Sequence, residues 1–65
     1  MADIGDKLRS ARKAKGMSIE DVEKITKIQR RYLTAIENDD FDQLPGDFYV
    51  RAVIRQFADV VGLNG

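Results

Sequence analysis

The 65 residues include no histidine and no cysteine. An imidazole acid or base, a thiolate nucleophile, a disulfide and the usual zinc ligands are therefore all missing. Catalysis would have to come from paired carboxylates, a lysine or an activated hydroxyl held in a cleft. The densest acidic group is Asp39, Asp40 and Asp42. It lacks the regular ligand spacing and the distal glutamate of a calcium loop, and a solvated turn accounts for it. The expectation is a protein that is not an enzyme and carries no cofactor or metal.

Binding chemistry is better represented. Gln29, Arg30, Arg31 and Thr34 stand close together, and at the front of a helix such side chains reach base edges or phosphates. Formal net charge is zero, which argues against strong nonspecific binding to nucleic acid. The charges are unevenly placed: nine basic residues face six acidic ones from Met1 to Glu37, and the remainder carries the opposite excess. That polarity orients a partner or merely solvates the helix faces. Glu20, Asp21 and Glu23 put negative charge beside the candidate DNA-binding residues, opposing a phosphate backbone.

The elements that would position these groups are helical. One domain fills a chain of this length, and an apolar fraction of 43% with 34% charged residues suits a folded domain stabilised by packing. Ile4, Leu8 and Ala11 recur at helical spacing, with Asp3 as a cap and Gly16 as the left-handed terminator. Ser18 and Asp21 form a capping box for a short second helix, whose apolar positions are Ile19, Val22 and Ile25. After Thr26-Lys27-Ile28 a third helix is marked by Leu33 and Ile36, with Tyr32 beside them. Asn38-Asp39-Asp40 breaks it, and Phe41 and Leu44 predict one tight turn before Pro45-Gly46. Asp47 is the expected cap of a last helix, which Gly62 ends. The fold class is all-α, a five-helix bundle of four main helices and one short turn, over residues 1–65 as a single domain. Without cysteine and without a signal peptide or a membrane-spanning stretch, the chain is expected to be soluble and cytoplasmic.

The last helix carries a clue of its own. At about 100° per residue, Tyr49, Val60, Val53, Phe57, Val50, Val61, Ile54 and Ala58 fill an arc of roughly 180°, whereas packing on one core commonly takes little over 100°. Phe57, Val50 and Val61, at the middle, are expected in the core. Tyr49 and Val53 lie towards one edge, where an aromatic with a polar tip suits an interface. Packing of Tyr49 on helix one or on the Phe41–Leu44 turn is the competing reading. Arg51 and Arg55, one turn apart, meet acidic groups of a partner or solvate the helix.

Two short helices joined by about three residues make the unit that places a recognition helix in a DNA groove. Val22, Ile28, Leu33, Ile36 and Glu37 resemble the Cro/phage-repressor type of helix-turn-helix. Ile19 stands where such DNA binders often have a glutamine, Glu23 where they have an alanine and Lys27 where they have a glycine. Nearly the whole chain also resembles a narrower family, the cytoplasmic N-terminal domain of the bacterial cell-shape protein RodZ. The carriers are Ile4-Gly5, Leu8-Arg9, Ala11-Arg12, Lys15-Gly16-Met17-Ser18, Tyr32 to Glu37, Leu44-Pro45-Gly46 and Tyr49 to Ala58.

This resemblance implies an adaptor that binds the actin-like filament protein MreB at the cytoplasmic side of the inner membrane. Its tether, a transmembrane helix outside these residues, would make this chain a fragment. In that family aromatic residues of the last helix, at positions matching Tyr49 and Val53, contact the filament. Val53 departs from the pattern by not being aromatic, which shifts weight to Tyr49 and neighbouring Phe48. Phe57 also matches an aromatic of the family, at a position expected in the core. The protein-binding residues implied are Phe48, Tyr49, Val53 and Phe57. Sequence-specific DNA binding through Gln29, Arg30, Arg31 and Thr34 is the alternative.

Overall fold

The computed structural model describes residues 4–63. Four α-helices follow one another, α1 (Ile4–Ala14), α2 (Ile19–Thr26), α3 (Arg30–Glu37) and α4 (Asp47–Val61), with a 3₁₀ turn at Phe41–Gln43 between the last two. This is the expected all-α architecture, with the tight turn in place. Among the described residues no helix is long and apolar enough to cross a membrane. The suggested Asp3 cap and the last two residues lie outside the described region.

The helix ends follow from local chemistry. Gly16 and Gly62 both take the left-handed conformation, at φ 69° and 78°, which a residue without Cβ adopts at no steric cost. At the start of α2 the Ser18 amide donates to Asp21 Oδ2 (2.9 Å) and the Asp21 amide donates to Ser18 Oγ (3.1 Å), so two otherwise unpaired donors are satisfied reciprocally. Asp21 is held below its ordinary carboxyl range, chiefly by the hydrogen bond from the Ser18 backbone. Lys27 ends α2 in the left-handed region (φ 65°), its amide donating to the Glu23 carbonyl at 2.7 Å.

Two local expectations are corrected. Asp47 is the first residue of α4 and Gly46 precedes it as the cap residue without a side-chain bond; Asp47 lies inside the first turn, where a negative charge favours the positive helix end. Ile25 is 60% exposed. The inner stripe of α2 is completed by Thr26, four residues beyond Val22, whose hydroxyl donates to the Val22 carbonyl (2.8 Å) and accepts the Ile28 amide (3.1 Å). Ile25 then points about 100° away from Thr26.

All four helices converge on one core built from Leu8, Val22, Ile28, Leu33, Ala35, Ile36, Leu44, Val53, Phe57 and Val61. The two turns flanking α3 are thereby anchored, by Ile28 on one side and Leu44 on the other. Helix α1 meets the C-terminal end of α3 unusually closely. A Cβ on Gly5 would lie 2.4 Å from the Glu37 carbonyl oxygen and 2.7 Å from that of Ile36. The Gly5 amide donates to Asp39 Oδ1 (3.1 Å), and Asp39 itself is left-handed at φ 58°.

Beside that contact lies a buried ionic joint. Glu37, 5% exposed, accepts from Arg12 Nε at Oε2 (2.6 Å) and from Arg12 Nη2 at Oε1 (3.1 Å), a two-point pairing that planar guanidinium geometry favours. Arg12 Nη1 also donates to the Met17 carbonyl (2.8 Å). Arg9 adds Nε to Glu37 Oε1 (3.3 Å) and Nη2 to Asn38 Oδ1 (2.9 Å). The already high pKa of Arg12 is raised further, chiefly by the hydrogen bond to Glu37 and against the effect of burial.

Candidate protein-binding site

The start of α4 is set by an extended Gly46, across which the ring of Phe48 lies: a Cβ on Gly46 would sit 3.2 Å from Phe48 Cε1. Phe48 is nevertheless 78% exposed. A large aromatic ring facing water at a helix start contributes little to this fold and offers apolar area to a partner. Tyr49, its neighbour, is half-buried and meets Tyr32 of α3 edge to face, with ring centroids 5.7 Å apart and planes at 84°. The Arg31 guanidinium carbon stands 5.4 Å from the Tyr32 centroid, within reach of a cation–π contact. A strip therefore runs from Arg31 over Tyr32 to Tyr49; Phe48, the residue before Tyr49 on α4, points about 100° away from it.

The structure separates the four residues proposed for protein binding. Phe48 and Tyr49 reach the surface. Val53 and Phe57 are fully buried, which corrects the placing of Val53 at a rim and removes both from direct contact. The cause is the tilt of the apolar arc: the buried line of α4 is Val53, Phe57 and Val61, while Val50 is half-buried near the helix start. These residues are spaced by four, and such a row lies along one side of a helix. Tyr49, one turn before Val53, continues that row to where Tyr32 covers it. Sequence reasoning placed Tyr32 on α3 without assigning it to the site; its position next to Leu33, with an aromatic also opening α4, was the available signal.

The alternative residues are also separated. Gln29, Arg31 and Thr34 are exposed. Arg30 is exposed but engaged: Nη1 donates to Glu20 Oε2 (2.9 Å), Nε to Glu23 Oε1 (3.2 Å), and its amide to Glu23 Oε2 (3.0 Å). Arg51 and Arg55 lie exposed on α4 and form no ion pair among the described residues. Among the described residues no three metal-ligating side chains gather. A shallow open groove lined by Asp6, Lys7, Ser10, Ala11 and Leu63 contains no paired carboxylates.

With this geometry in place, comparison with known proteins gives the lineage. The family described as a helix-turn-helix domain matches residues 7–65. The chain belongs to that family. It is 46% identical over 61 residues, 94% of its length, to the cytoskeleton protein RodZ of Streptococcus pneumoniae strain R6. It is 56% identical over 48 residues, 74% of its length, to the uncharacterized membrane protein YmfM of Bacillus subtilis strain 168. The chain spans about a fifth of the length of these relatives, 22% and 17% respectively. No solved structure gives a match. The helix-turn-helix family and the RodZ likeness agree with the resemblance carried by the sequence.

Proposed function

We propose that this domain is a docking module for the actin-like filament protein MreB, at the cytoplasmic side of the bacterial inner membrane, and that it links the filament to envelope machinery through segments outside these residues. The observation that carries the proposal is the exposed ring of Phe48 at the start of α4, one residue before the Tyr49 that Tyr32 braces. The RodZ of S. pneumoniae, a cytoskeleton protein by name, supports the choice of partner. Phe48 supplies the anchor. Tyr49, braced by Tyr32, is held in one orientation before a partner arrives, which lowers the ordering cost of association.

The test is titration calorimetry or filament co-pelleting with purified MreB. Phe48→Ala removes a ring that the fold does not use, so its midpoint of unfolding stays within about 0.5 kcal/mol of the parent. Loss of an aromatic hot spot weakens binding by about 2 kcal/mol or more, roughly thirtyfold. Tyr49→Ala weakens binding likewise, with an added stability loss of about 0.5–1.5 kcal/mol from the broken aromatic pair. Arg30→Ala leaves binding nearly intact. Parent-like affinity in both Phe48→Ala and Tyr49→Ala refutes the site.

A further inference from the structure

The front of α3 holds an arrangement of which docking through α4 draws only on Arg31, by way of its contact with Tyr32. Lys24 and Lys27 end α2, and Arg30 and Arg31 begin α3. Only Ile28 and Gln29 separate the two pairs, and all four basic side chains are exposed. Gln29, which precedes α3, and Thr34, in its middle, are also exposed. Such a surface complements the phosphates of duplex DNA. Yet two carboxylates of α2 stand inside it. Glu20 and Glu23 take the Arg30 guanidinium at 2.9 and 3.2 Å, and Glu23 also accepts the Arg30 amide. These oxygens bind Arg30 in the way phosphate oxygens would, and they add two negative charges next to where a strand would run.

We infer that Glu20 and Glu23 are specificity-determining residues: they occupy Arg30 as an internal anion and so exclude duplex DNA from helix three. The pairs are exposed, hence individually weak, and act mainly by position. A phosphate approaching Arg30 meets a guanidinium whose Nε and Nη1 are already bonded, and two like charges. Lys24, Lys27 and Arg31 form no ion pair among the described residues, but they flank this blocked centre. The inference is independent of filament docking and is read on DNA alone.

The experiment uses the 65-residue chain and a nonspecific duplex, titrated by fluorescence anisotropy across a salt series. Glu20→Gln/Glu23→Gln retains side-chain acceptors while removing both charges. Its affinity at about 50 mM salt rises roughly tenfold or more over the parent, and its log–log salt slope steepens by about 1 as one more phosphate is contacted. Adding Arg30→Ala to that variant removes most of the gain. Asp40→Asn/Asp42→Asn makes the same change in net charge on the exposed turn and leaves affinity within about threefold of the parent. Equal gains in the two double variants, no gain in the first, or a gain that survives Arg30→Ala each overturn the inference. Should the first variant lose helicity, Glu20→Gln alone, whose carboxylate bonds only Arg30 among the described residues, must show the same direction at lower size, and its failure to do so is equally decisive.

Discussion

Glu37→Ala isolates the joint between α1 and α3. The carboxylate is 5% exposed and the Arg12 side chain 13%, so water replaces little of what the substitution removes. Truncation leaves the Arg12 guanidinium with the Met17 carbonyl as its one remaining partner and takes away the side-chain acceptor shared with Arg9. Breaking a buried pair from one side costs about 3–5 kcal/mol, because the surviving charge is stranded. A 65-residue domain has a total stability of about 3–10 kcal/mol at typical values per residue. The loss therefore removes from about a third to all of that stability, read by urea titration with circular dichroism. Arg12→Met/Glu37→Leu removes both charges together and recovers much of the loss, since a desolvated pair exchanged for apolar side chains of similar volume is often neutral. The loss in Glu37→Ala also persists in high salt, because screening reaches buried pairs poorly. A shift below about 1 kcal/mol, the range of an exposed pair, would refute the buried-joint reasoning.

Three further outcomes are expected. Gly5→Ala destabilises by about 1–3 kcal/mol or more, because its methyl meets two backbone carbonyls that cannot swing aside; an unchanged thermal midpoint contradicts the close approach. Lys27→Gly stabilises by roughly 1 kcal/mol by relieving a left-handed lysine, raising the melting temperature by about 4–8 °C; a lower melting temperature contradicts this. Asp21 has a folded pKa below its unfolded value, so its contribution is fully present above about pH 3.9 and is lost as pH falls through the lower folded value. The stability difference between the parent and Asp21→Asn must shrink over that acid interval, and a difference growing towards low pH reverses the sign.

Much of the architecture was legible because helix ends are decided locally. Gly16, Gly62 and the Ser18–Asp21 box act through their own backbone and that of residues within one turn. The side chosen by each helix was less legible, since it depends on neighbours remote in sequence. Ile25 and Thr26 are both near the apolar face of α2, and the packing of α3 and α4 decides that Thr26 turns inward. The same holds for Val53: an arc of roughly 180° contains its own core line, but its width does not reveal which edge is covered. Tyr32 supplies that cover at Tyr49. The Glu37 joint was invisible because its partners are 25 and 28 positions away, and no local pattern distinguishes Arg9 and Arg12 from solvated arginines. Glu23 was legible as a departure from the usual alanine and as a charge opposing a phosphate backbone, whereas its grip on Arg30 depends on how the turn folds back.

The Glu37 joint also bears on how the chain is made. Helix α1 emerges from the ribosome before α3, and its 11 residues are too few for an isolated helix to persist in water. Its acidic counterpart appears 25 residues after Arg12, so α1 lacks this partner until α3 has followed it out. A nascent chain stalled before Glu37 should leave Arg9 and Arg12 accessible to solvent, and the core closes only when α4 supplies Val53, Phe57 and Val61, until which the chain remains a target for proteases that require extended backbone.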